Sequence, residues 1–158
     1  MAYKVFISHS THDQGLVINL AKLLQGLGLE VFVAAWYLSP GERLDAKIRR
    51  QIKASDCFIV LLTRHGMRSP WVQQEVGIAL EANKVIIPII ERGTDPHALG
   101  ALQGREYIEY DPLSPGQALI NVTKYVNSLK LKKESLEKFW LIAAGILAFF
   151  VLLSGGEK

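Results

Sequence analysis

Three features of the sequence predict an α/β fold built on a parallel sheet covered on both faces. Short runs rich in Val, Ile and Phe alternate with stretches of helical spacing along the first 130 residues. Two of those runs, residues 56–63 and 85–90, are apolar on both faces, as central parallel strands are. Polar loops leave the ends of the early strands, where doubly wound sheets bind ligands near the switch in strand order. Five strands and five helices in that length fit a flavodoxin-like, doubly wound, five-stranded parallel sheet.

Residues 3–8 form the first strand and end in the polar string Ser8-His9-Ser10-Thr11-His12-Asp13. Thr11 or Asp13 can cap the following helix, whose Leu16, Ile18, Leu20, Leu23, Leu24 and Leu27 approximate helical spacing; Gly26 and Gly28 close it. Residues 30–35 are a second strand, followed by the loop 36–42 with Pro40-Gly41 turn chemistry. Leu44, Ile48 and Ile52 recur every four residues and mark a helix over 44–54. The third strand, 56–63, leads through the loop 64–68 into a helix over 69–80. Pro88 in the fourth strand requires a gap, a bulge or a sheet edge on its nitrogen side. Residues 91–104 read as a loop, 107–110 as a short last strand, and 116–129 as a helix.

The formal net charge of +3 is too small to indicate nucleic acid as a partner. The single cysteine, Cys57, lies in an apolar run, so no disulfide framework exists and a reducing compartment is compatible. One cysteine and scattered histidines offer no zinc ligand set. The N-terminus begins directly in a strand pattern, so no signal peptide is expected.

The tail has a different character. Lys130, Lys132, Lys133 and Lys138 precede an uncharged apolar run over 139–153. As a helix this run covers roughly 22 Å, and roughly 27 Å with residues 154–156, against ~30 Å of bilayer hydrocarbon. It is apolar all round, Trp140 sits at one end as an interface anchor, and the lysines lie on the N-terminal side. These features predict a domain over 1–130, a basic linker over 131–138, and a single-pass C-terminal membrane anchor over 139–156 with the domain in the cytoplasm. A hydrophobic oligomerisation helix is the alternative.

The helix over 69–80 holds the most informative residue. Ser69 can cap it and Pro70 suits its first turn. Spacing residues roughly 100° apart gathers Trp71, Val72, Val76, Ile78, Ala79, Leu80 and Ala82 into an apolar arc, and Glu75 falls inside that arc. A carboxylate on a buried stripe needs a partner or a task, because its desolvation costs several kcal/mol or raises its pKa. A buried Arg or a neighbouring loop's backbone would satisfy it structurally. Its position one turn after a strand-end loop points instead to a ligand crevice.

Other chemistries are excluded by residue type. Neither a Walker loop nor a Gly-x-Gly-x-x-Gly turn after a strand is present, and Gly26-Leu27-Gly28 ends a helix. A phospho-accepting receiver domain would need an acidic cluster after the first strand and an Asp after the third. No Gly-x-Ser-x-Gly elbow supports Ser8 with His9 or His12 as a hydrolase, and both histidines suit loop or capping roles.

Val5-Phe6-Ile7-Ser8-His9-Ser10-x-x-Asp13, Trp36-x-x-x-Pro40-Gly41-Glu42 and Ser69-x-Trp71-x-x-x-Glu75 resemble, in order and spacing, the three boxes of a Toll/interleukin-receptor (TIR) domain of the prokaryotic branch. The likeness covers residues 3–130. The resemblance implies one of two functions: cleavage of the nicotinamide–ribose bond of NAD⁺, often in immune or phage defence, or non-enzymatic scaffolding of other TIR domains. In the enzymes the essential acid is the third-box glutamate, here Glu75, preceded one turn earlier by an aromatic, here Trp71. The first-box residues Phe6, Ser8, His9 and Ser10 and the loop residues Trp36, Pro40, Gly41 and Arg43 are implied to line the nucleotide site. That loop is also implied to mediate self-association. The second box often carries an acidic residue where this chain has Trp36 or Tyr37, and Trp36 equally suits a core or interface role. Scaffold-only members commonly lack the glutamate.

Those residues suit the chemistry. Nicotinamide leaves a pyridinium riboside as a neutral molecule, so no acid is needed to protonate it. A single carboxylate in low dielectric can oppose the positive charge that grows on the ribose. Trp71 and Trp36 can stack on the bases, and Arg43 with first-box N–H groups can meet the diphosphate. NAD⁺ is then a substrate, and no cofactor is expected.

Overall fold

A computed structural model of the chain describes residues 2–34 and 44–155. The strands are β1 (Lys4–Ser8), β2 (Glu30–Val33), β3 (Cys57–Leu62), β4 (Val85–Glu91) and β5 (Ile108–Tyr110), and the helices are α1 (Gln14–Gly26), α2 (Leu44–Ala54), α3 (Pro70–Glu81) and α4 (Pro115–Ser154). All strand pairs are parallel, in the order β2-β1-β3-β4-β5. The sheet is the doubly wound, flavodoxin-like one expected. Its order reverses between β1 and β3, so the crevice opens beyond Ser8 and Leu62.

Right-handed crossovers put α1 on one face and α2 and α3 on the other, because the chain steps outward from β1 to β2 and then back across the sheet. Phe6, Phe58, Val60 and Leu62 share the second face with Ile48 and Ile52 of α2 and Val72, Val76 and Ala79 of α3. Register places Phe6 opposite both Phe32 and Phe58. The three rings stack across the strands with centroids 5.3 and 5.5 Å apart. Every side chain of β3 is buried, which explains its unbroken apolar sequence. Within it, burial pushes the Cys57 thiol up to about 12, leaving it an unreactive thiol.

Pairing of β4 to β5 begins only at Ile89, so that flank is open beside Pro88 and the proline fits. The β4–β5 connection contains 3-10 turns over Pro96–Leu102 in place of an α-helix, and Leu99 and Leu102 close the core there. Asn83, at φ 52°, ends α3 in the left-handed region. The neighbouring Lys84 ammonium donates to the carbonyls of Lys53 and Ser55 at 2.6 and 2.7 Å, covering the exposed C-terminal end of α2.

Residues 2–124 form one compact unit, and the chain from Tyr125 onward forms a second. Helix α4 is continuous over 40 residues, so the segment expected as a linker, 131–138, is helical. Lys, Glu and Leu are good helix formers, and nothing in that segment breaks the helix. In the second unit Phe139, Trp140, Leu141, Ile142, Ile146, Leu147, Phe149, Phe150, Val151, Leu152 and Leu153 are all exposed. Helix α4 is long and apolar enough to cross a membrane.

Candidate active site

The crevice at the sheet's switch point is a cavity of about 470 Å³, within the size range of small-molecule sites. Its described walls come from the end of β1 and the loop after it (Ile7, His9, Ser10, Thr11, His12), from Ala34, from α2 (Leu44, Ile48), and from the loop and first turns around α3 (His65, Arg68, Ser69, Trp71, Glu75).

The loop before α3 is tightly fixed. Thr63 donates its hydroxyl to Asp13 at 2.7 Å and accepts from the Gly66 N–H at 3.0 Å, tying the loops that follow β1 and β3 together. A β-carbon at Gly66 would collide with the Leu61 carbonyl oxygen, so only glycine lets the chain turn this sharply. Ser69 then caps α3 by accepting from the Val72 N–H at 3.4 Å, with Pro70 in the first turn. The helix therefore starts at a defined point, and Glu75 follows one turn later.

Glu75 is 6% exposed. Ser8, itself buried at the end of β1, donates its hydroxyl to one carboxylate oxygen of Glu75. Burial pushes the Glu75 carboxyl up to about 7, and the Ser8 hydrogen bond holds it partly back. Near neutral pH the group is thus poised between carboxyl and carboxylate. Burial also lowers the pKa of His9, against the opposing influences of Asp13 and the Ile7 backbone, and so favours the neutral imidazole. Among the described residues no cluster of His, Cys, Asp and Glu suited to a metal occurs.

The structure brings His9, Ser10, Trp71 and Glu75 to one cavity. Ser8 lies behind Glu75 as its hydrogen-bond partner. Phe6 is wholly buried in the aromatic row, because β1 turns it into the sheet's packed face; it supports the strand and does not line the cavity. Trp36, Pro40, Gly41 and Arg43 lie outside the described residues. Trp71 is 56% exposed and so stands on the cavity wall, whereas the buried stripe of α3 is narrower than its apolar arc: Val72, Glu75, Val76 and Ala79. His12, His65 and Arg68 line the same cavity and were not expected there from their spacing. Their placement after β1 and β3, at strand ends flanking the switch point, was the available signal.

Over 133 residues the chain is 29% identical to the 2' cyclic ADP-D-ribose synthase AbTIR of Acinetobacter baumannii, covering 81% of this chain and 45% of that protein. Over 92 residues it is 33% identical to the NAD(+) hydrolase TcpA of a Theionarchaea archaeon, covering 55% of this chain and 28% of that protein. The chain spans less than half the length of these curated relatives. Its fold is shared with the TIR domain of the Toll-related receptor TRR-2 from Hydra magnipapillata, at a TM-score of 0.66 and 23% identity over 80% of this chain and 99% of that one. Residues 5–119 match the TIR domain family, and the chain belongs to that family.

Proposed function

We propose that this TIR domain cleaves the nicotinamide–ribose bond of NAD⁺, with Glu75 as the catalytic carboxylate. The observation that carries the reading is a carboxylate buried on an otherwise apolar helix stripe, held by Ser8 and opening onto a cavity walled by Trp71. Relatives named as NAD⁺ hydrolase and 2' cyclic ADP-D-ribose synthase support it. In the reaction the electrons of the C1'–N bond pass to the pyridinium nitrogen, and nicotinamide leaves neutral. The ionised Glu75 opposes the charge growing on the ribose, strongly because its surroundings are dry. A water oxygen then bonds to C1' and releases its proton, giving ADP-ribose; attack by a hydroxyl of the same molecule gives a cyclic product instead.

Self-association through the loop over 36–43 would raise activity, and Gly41→Ala or Pro40→His is expected to reduce oligomer size. The apolar part of α4 would anchor the domain to the cytoplasmic side of a membrane, in the arrangement of domain 1–130, basic segment 131–138 and span 139–156. Such an assembly suits immune or phage-defence signalling.

The test is to cluster the purified protein, incubate it with NAD⁺ and follow nicotinamide release. Release that is abolished in Glu75→Ala supports the enzyme. No release from the clustered wild type would leave a TIR scaffold as the function. Because only the carboxylate can oppose positive charge, release should rise with pH through about 7, where Glu75 ionises.

A further inference from the structure

One side of the cavity carries a feature that the proposed chemistry at Glu75 does not use. The rings of His12 and His65 stack face to face, with centroids 4.4 Å apart and planes 11° from parallel. They come from different loops, and the pairing is built in. Asp13, next to His12, accepts from Thr63, two residues before His65. The Ser10 hydroxyl contacts His12 Nδ1 at 3.2 Å and accepts from the His12 backbone N–H at 3.3 Å, which fixes that ring and leaves its Nε2 edge for a ligand. The Arg68 N–H bonds back to the His65 carbonyl at 3.2 Å, so a guanidinium follows the pair on the same wall. All three side chains are exposed to solvent and line the cavity. Ala34, Leu44, Ile48 and Trp71 line the same cavity and offer it apolar surface. The lining thus combines a stacked imidazole pair and a guanidinium with apolar side chains, and holds Glu75 as its acid.

We infer that the stacked His12–His65 pair and Arg68 form the subsite for the diphosphate of the substrate, and set the preference for a dinucleotide over a nicotinamide riboside that lacks phosphate. This rests on the NAD⁺ reading above and adds residues to it. Imidazole and guanidinium N–H groups donate charge-assisted hydrogen bonds to phosphate oxygens, and Arg can do so in pairs. Holding the diphosphate on these groups leaves the apolar side chains to the bases and directs the nicotinamide ribose toward Glu75. Binding energy from the non-reacting phosphates then positions the bond that breaks.

The experiment uses the purified full chain, clustered in detergent, as wild type and as His12→Ala, His65→Ala, His65→Phe and Arg68→Gln. Binding of ADP-ribose is measured by calorimetry, and turnover is measured on NAD⁺ and on nicotinamide riboside. Each of His65→Ala and Arg68→Gln should weaken ADP-ribose binding and raise KM for NAD⁺ by about tenfold or more, with kcat changed little. Their kcat/KM on nicotinamide riboside should stay within about twofold of wild type. His65→Phe keeps a stacking ring but no donor, and should behave as His65→Ala does. Rescue by Phe, unchanged ADP-ribose binding, or equal losses on both substrates would overturn the subsite. A wild type that binds ADP-ribose through these residues yet releases no nicotinamide would refute the NAD⁺-cleavage reading and leave the subsite standing.

Discussion

Two stretches of this chain break the rule of burial in opposite directions. Helix α3 places a carboxylate where its neighbours Val72, Val76 and Ala79 are packed, and the end of α4 leaves eleven large apolar side chains, from Phe139 to Leu153, facing outward. Both are costly in water. A buried carboxylate without compensation is driven toward its neutral form, and an exposed apolar run seeks a phase other than water. Among the described residues the first is compensated only in part, by one neutral hydroxyl, and the residual cost shows as a carboxyl pushed up to about 7. The second has no compensation among the described residues. A fold tolerates such departures where they serve a task, and the two tasks proposed here are bond cleavage and attachment.

The largest expected effect lies in the tail. Deleting residues 134–158 should move the protein from the membrane fraction to the supernatant; a full chain that is soluble and monodisperse without detergent would favour an oligomerisation helix. A single Leu147→Arg should weaken insertion by roughly 3–4 kcal/mol, read as a partial shift between the same fractions.

The effects next in size concern the compact unit. Gly66→Ala should destabilise it by about 1–3 kcal/mol in urea unfolding, since a β-carbon there meets the Leu61 carbonyl. Its activity should fall as well, because the same loop sets the start of α3. Unchanged stability would mean that the turn has room to relax.

Ser8→Ala should cost about 1 kcal/mol. It also removes the hydrogen bond that, among the described residues, lowers the Glu75 pKa, so the rising limb of the pH–activity curve should move to higher pH. A limb that stays in place would separate Ser8 from the titration of Glu75.

Much of this was legible in the sequence. The all-apolar runs of β3 and β4 announced a parallel sheet, and Glu75 stood out by its place on a helical wheel. The partner of Glu75 was not legible, because the meeting of Ser8 and Glu75 across 67 residues depends on how α3 sits over β1. Trp71 fell within the apolar arc by periodicity alone, yet a helix on a sheet buries only a narrow stripe and leaves that edge to the cavity. The likeness of the first box placed Phe6 near the nucleotide, whereas alternation along β1 sends its ring into the core. The helical state of the basic segment 131–138 was not read from its charge, although its residues favour helix and α4 runs through it. The histidine pair was invisible because stacking joins two loops that only the tertiary structure brings together.

The most direct test of the role of Glu75 is one variant measured twice. Glu75→Gln preserves shape and an acceptor for Ser8 while removing the charge. Because burial raises the folded-state pKa of Glu75 above its usual value of 4.5, the native protein loses stability as pH rises from about 4.5 to about 7, and the loss persists above that. At pH 8 Glu75→Gln should therefore be more stable than wild type, by as much as about 3 kcal/mol, and should release no nicotinamide from NAD⁺ when clustered. A Gln variant that still releases nicotinamide, or that melts below the wild type at pH 8, would contradict the account.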